Sequence, residues 1–94
     1  MLAAWGKGGS AEGELNRPMG LAVDSQDSVY VADTGNHRVQ KFEPGGRFIT
    51  KLGSAGTGLG QMMGPVSIAI SQTGNLFVLE LDNARVQEFR IPPE

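Results

Sequence analysis

Val29-Tyr-Val-Ala-Asp33-Thr-Gly-Asn36-His-Arg38-Val-Gln-Lys-Phe42 is answered, 47 residues on, by Leu76-Phe-Val-Leu-Glu80-Leu-Asp-Asn83-Ala-Arg85-Val-Gln-Glu-Phe89. Val31, Asn36, Arg38-Val39-Gln40 and Phe42 recur as Val78, Asn83, Arg85-Val86-Gln87 and Phe89. The same shift carries Pro18 onto Pro65, Ala22 onto Ala69, and Gly6, Gly9 and Gly13 onto Gly53, Gly56 and Gly60. Conservative pairs keep the register: Leu21 and Val23 with Ile68 and Ile70, Trp5 with Leu52, Asp33 with Glu80. A repeat of this length is the mark of an array of supersecondary units, and it is gapless across nearly the whole chain.

Each unit reads as short strands. Leu21 to Val23 is a brief apolar strand closed by the turn cluster Asp24-Ser25-Gln26-Asp27. Val29 to Ala32 is rich in β-branched and aromatic residues. Asp33-Thr34-Gly35-Asn36 is a turn, Val39 to Phe42 a third strand, and Glu43-Pro44-Gly45-Gly46 a second turn. Phe48 to Leu52 is a fourth strand, followed by a Gly-rich connector to Pro65. No capped segment of helical length carries a 3.6-residue period. Four short strands in roughly 40–50 residues predict an all-β chain of propeller blades.

Pro18-Met-Gly-Leu-Ala-Val-Asp24, Val29-Tyr-Val-Ala-Asp33 and Gly35-Asn-His-Arg-Val-Gln-Lys-Phe42 together resemble the NHL repeat. Phe48 to Gly53, and Gly58-Leu-Gly-Gln61 up to Pro65, fit its tail. The resemblance implies a β-propeller, commonly six-bladed, that serves as a protein- or RNA-binding platform, with some lyases and hydrolases among the relatives. The second unit departs from the pattern: Glu80-Leu81-Asp82-Asn83-Ala84 replaces Asp33-Thr34-Gly35-Asn36-His37, and Gly64, Ser67 and Ser71 replace Arg17, Gly20 and Asp24.

Composition bounds the rest. The chain has 94 residues, 8 basic and 10 acidic side chains, and a net charge of -2, without the basic excess typical of a nucleic-acid grip. It has no cysteine, so disulfides, Cys-ligated zinc and thiol nucleophiles are absent. Leu, Ile, Val and Phe make up about a quarter of the residues, close to the lower limit for a self-sufficient globule. No apolar run approaches the ~20 residues of a membrane span. The first residues lack the basic region and apolar stretch of a secretory signal. The expectation is a soluble protein with no visible address and no membrane partner.

The whole chain, 1–94, divides as an outer strand at 1–6, a first blade at 18–53 and three strands of a second blade at 65–91. The order leaves the second blade without its outer strand and the N-terminal strand without its blade. Unpaired strand edges invite pairing. Strand exchange between copies follows, head to tail, with Met1, Leu2, Trp5, Val86, Phe89 and Ile91 at the interface. Such a heterologous contact makes a ring when the rotation closes. Two blades are a third of a six-bladed turn, which favours a homotrimer, then a dimer or tetramer. A length so close to whole repeats suits a fragment or an engineered array.

Among candidate sites, Asp33, Asn36 and Arg38, with Asn83 and Arg85, are read as turn structure, the arginine paired with Asp33 or a main-chain carbonyl. The competing reading is ligand contact on the propeller face. Lys7, Arg17 and His37 are the candidate ligand face. His37 is the only histidine, read as exposed, and it lacks the companions a metal or catalytic role needs. Gly53 to Gly60 mimics a phosphate loop, yet a strand rather than a helix follows, so it is read as a flexible connector. Lys7, Arg17, His37, Arg38 and Arg85 would attract RNA or an acidic peptide, while Glu12, Glu14 and Glu80 dilute that field. The six aromatic residues sit in strands and are read as core, not as base-stacking platforms, and Met62-Met63 as an apolar plug. No cofactor, metal or catalytic residue is expected. The leading reading is a non-enzymatic, self-assembling scaffold with a face for a protein or peptide. The alternatives are a fragment of an NHL-type lyase or hydrolase, or an RNA-binding NHL surface.

Overall fold

The computed structural model describes residues 4–90. Met1, Leu2 and Ile91, three of the expected interface residues, lie outside them. Seven strands form two antiparallel sheets. β1 (Pro18–Val23), β2 (Val29–Asp33), β3 (Arg38–Phe42) and β4 (Phe48–Leu52) are ordered β1-β2-β3-β4. β5 (Pro65–Ile70), β6 (Asn75–Glu80) and β7 (Arg85–Arg90) are ordered β5-β6-β7. Among the described residues helical geometry is confined to the single 3-10 turn Thr34–Asn36. The inner strand of each unit starts earlier than its apolar core suggested, at Pro18 and Pro65, because a bulge between Pro18 and Gly20, and another between Pro65 and Ser67, lets the ladder run past the apolar run.

The two sheets share one register. Leu21 pairs with Val31 and Val31 with Gln40; 47 residues on, Ile68 pairs with Val78 and Val78 with Gln87. Turn chemistry also repeats. Asp24 Oδ1 accepts the Gln26 and Ser28 amides, and Ser71 Oγ accepts the Asn75 amide.

The core lies between the sheets. Tyr30, Ala32 and Val39 of the first sheet meet Ile68, Leu76 and Val78 of the second, with Met62 beside them and Ala22, Leu52, Ile70 and Phe89 packed around. Alternation does this: side chains two apart on a strand share a face. The inner strands β1 and β5 approach closely. A Cβ on Gly20 would lie 2.6 Å from the Val66 carbonyl oxygen, so only glycine fits there. Burial pushes the Tyr30 phenol up, reinforced by its hydrogen bond to the Asp24 carboxylate at 3.1 Å.

Residues 4–6 take no strand conformation. The first three residues of the expected outer strand lie outside the described residues. Trp5 nevertheless has a defined seat. Its ring packs on Phe42, centroids 5.0 Å apart, and a Cβ on Gly46 would collide with it.

Candidate functional site

The residues singled out in the first turn converge on a buried carboxylate. Asp33 ends β2 and Arg38 starts β3, directly opposite in the ladder. Asp33 Oδ2 accepts from Arg38 Nε at 2.7 Å, from Asn36 Nδ2 at 3.0 Å and from Gln40 Nε2 at 3.1 Å, while Asp33 Oδ1 accepts the Asn16 amide at 2.7 Å. The remaining donors point into the connector that precedes β1. Arg38 donates to the Ala11 and Glu14 carbonyls, Asn36 to the Gly9 carbonyl and Gln40 to the Glu14 carbonyl, while Gln40 Oε1 accepts the Gly13 amide.

The second unit rebuilds this hub and adds one bond, from Arg85 to the Thr57 carbonyl. Arg85 Nε, Asn83 Nδ2 and Gln87 Nε2 donate to the Glu80 carboxylate at 2.8, 2.8 and 2.7 Å, and the Met63 amide adds a fourth bond. Arg85 also holds the Thr57, Gly58 and Gln61 carbonyls, Asn83 the Gly56 carbonyl, and Gln87 the Gln61 carbonyl and Gly60 amide. Glu80 is one methylene longer than Asp33 and still reaches the same donors. Burial alone would raise its pKa, but the Arg85, Asn83, Gln87 and Met63 bonds outweigh it and hold the carboxyl below its ordinary value.

These groups are consumed by the fold. Asp33, Asn36, Arg38, Asn83 and Arg85 shape the turn and staple the connector. Gly53 to Gly60 is a connector, but it is tied down rather than loose: the Ala55–Met62 bridge and the Arg85 fork fix it, as the Gly8–Leu15 bridge and Arg38 fix its counterpart. Gln40 and Gln87 were missed as hub members. Their identical recurrence in both units was the available signal.

Lys7, Arg17 and His37, the expected ligand face, have different surroundings. Lys7 Nζ lies 3.7 Å from Glu14 at the surface. Arg17 is exposed, in a left-handed conformation at φ 49°. His37, expected to be exposed, is half-buried because its Nδ1 accepts the Gly64 amide of the second unit at 3.1 Å. Val86 is exposed, whereas Phe89 turns inward to the core between the sheets, since it pairs with Leu76 and shares its face. Met62 is fully buried, as a plug would be. Among the described residues no group of three His, Cys, Asp or Glu side chains is placed to hold a metal ion, and no helix is long and apolar enough to cross a membrane.

Comparison with known proteins gives a consistent assignment. Residues 15–42 match the NHL repeat family. The chain is similar to Protein lin-41 of Caenorhabditis elegans, 50% identical over 50 residues, which is 53% of this chain and 4% of the relative. It is similar to Protein brain tumor of Drosophila melanogaster, 45% identical over 49 residues, 52% of this chain and 5% of the relative. It also resembles E3 ubiquitin-protein ligase TRIM71 of Mus musculus, 44% identical over 45 residues, 48% of this chain and 5% of the relative. The matched segment thus spans only a small fraction of each of these curated relatives.

Proposed function

Starting from a chain that carries an NHL repeat at residues 15–42, we propose that it is a non-enzymatic propeller scaffold. Copies join head to tail into a ring whose faces are offered to a protein or peptide. The carrying observation is the pair of open faces. The second sheet meets the first through Ile68, Ile70, Leu76, Val78 and Phe89; of the repeat-equivalent residues of the first sheet, Leu21 and Val23 are exposed, Val29 is half-buried, and Val31 and Phe42 are already buried within the repeat. Ile68 is 8% exposed; Leu21, its equivalent, is 64% exposed. The reverse holds at the other end, where Val39 is fully buried and its equivalent Val86 is 60% exposed. Each open face is therefore a second copy of a face the chain already buries against the other. Repeat arrays need such faces covered, and apolar patches of this kind mark interaction sites.

Trp5 supports strand exchange. Leu52, its repeat-equivalent, ends the outer strand β4 and packs, as Phe89 does, against the core between the sheets. Trp5 rests on Phe42, the equivalent of Phe89. In the proposed ring the tryptophan belongs to the outer strand of a blade whose three inner strands come from another copy. Beside it opens a concave surface of about 680 Å³ lined by Trp5, Leu15, Pro18, Leu21, Val29 and Val31. In the proposed ring, strand 1–6 pairs with β7 of the next copy, 18–53 is one blade and 65–91 the next. Six blades give three chains; dimers or tetramers would give four or eight. The hub arginines are spent on main-chain carbonyls, which leaves little to recommend an RNA-binding or catalytic reading.

Light scattering after size exclusion, with native mass spectrometry, tests this. A species near three times the 9.9 kDa chain mass is expected. A folded single chain at every concentration would overturn it.

A further inference from the structure

The junction inside the chain has a polar latch. Thr34 Oγ1 donates to the Pro65 carbonyl and His37 Nδ1 accepts the Gly64 amide. Carried 47 residues on, the junction between copies faces Leu81 to Pro18 and Ala84 to Arg17. The backbones match: Ala84 has φ 49° where His37 has 56°, and Arg17 has φ 49° where Gly64 has 64°. The side chains do not match; they are exchanged in size. A large His37 stands against glycine within the chain, and a small Ala84 stands against arginine between chains. Gly20 and Ser67 trade places in the same sense, since Gly20 approaches Ser67 within the chain and Ser67 would approach Gly20 of the next copy.

Three exposed residues belong to this junction, Arg17 on one side and Leu81 and Asp82 on the other; within the chain the Asp82 carboxylate lies over Gly64, and the Leu81 and Asp82 amides donate to the Gly64 and Met63 carbonyls. Arg17 is exposed and forms no ion pair among the described residues, and neither does Asp82, two residues before Ala84 in the same turn. Leu81 is 66% exposed, though its equivalent Thr34 is buried. A non-glycine residue held at positive φ is strained, and such strain persists where something else depends on that residue.

We propose that Arg17 of one copy fills the space left by Ala84 on the next and pairs with its Asp82, while Leu81 covers Pro18. Opposite charges across a junction orient the partners and reject wrong ones, so this pair sets the head-to-tail direction. The inference rests on the assembly reading above and assigns its recognition residues.

A charge exchange tests it, read by the concentration at which the assembly dissociates. Arg17→Glu and Asp82→Arg are each expected to raise that concentration about tenfold or more through like-charge contact, and the double variant to return to within about threefold of the wild type. Arg17→Gly adds a readout that a structural role would not give: the chain's own melting temperature holds or rises as the strain is relieved, while assembly weakens. Assembly unchanged in both single variants, or no recovery in the double, would overturn the pairing and leave the ring intact. A wild type that is a single chain at all concentrations would instead remove the assembly reading, and this inference with it.

Discussion

The two repeats build one hub from slightly different parts and place it in different surroundings. The Asp33–Arg38 pair is enclosed, with side chains 0% and 9% exposed; in Glu80–Arg85 the arginine is 27% exposed. Bonding does not explain the difference, because the more exposed Arg85 makes one bond more, to the Thr57 carbonyl. The cause is the neighbourhood. The first repeat has the second against its rear face and an outer strand closing its edge, whereas among the described residues the second has β7 as its edge and one face open. Local sequence thus dictates the hub, and position in the array dictates how much the hub is worth.

That comparison can be broken by mutation. Arg38→Ala strands a buried carboxylate and is expected to cost about 3–5 kcal/mol, whereas Arg85→Ala, whose carboxylate can recruit water at the open end, is expected to cost about 1–2 kcal/mol. Urea denaturation of the two variants side by side checks this, and equal losses would show that array position is irrelevant. Gly20→Ala must push β1 away from the Val66 carbonyl and is expected to cost about 1–3 kcal/mol. The equivalent Ser67→Ala is expected to stay within about 0.5 kcal/mol in the lone chain, and thermal melts at low protein concentration separate the two. His37→Ala removes one hydrogen bond between the sheets, about 0.5–1.5 kcal/mol; Leu59→Ser, at an exposed connector tip, is expected to leave the melt unchanged.

The smallest effect is a change of slope. The Glu80 pKa is lower folded than unfolded, so its contribution to stability is complete above the ordinary carboxylate range and is lost as pH falls through the folded value. Stability should therefore decline on acidification below that range, and Glu80→Gln should flatten the decline. A wild-type profile without that decline would contradict the hub as described.

Much of this was legible in the residues. The gapless repeat, the strand cores and the turn role of Asp33, Asn36 and Arg38 followed from spacing and residue type. The connectors did not. Glycine and serine runs signal freedom of the backbone, and the staples that remove it come from Asn36, Arg38 and Gln40, about 27 positions away, as long-range bonds that no local pattern announces. His37 was misplaced for the same reason: its partner is the amide of Gly64, and a main-chain donor leaves no trace in sequence.

The hub grips its connectors almost wholly through main-chain atoms: the Ala11 and Glu14 carbonyls and the Gly13 amide in one repeat, the Thr57, Gly58 and Gln61 carbonyls and the Gly60 amide in the other. What is held is the path of the loop, not its spelling. Glu12 in one repeat and Leu59 in the other occupy equivalent points on the same trace. The loop surface can therefore be rewritten by drift or selection without touching the clasp beneath it, as lettering can change on a sign whose bracket stays bolted.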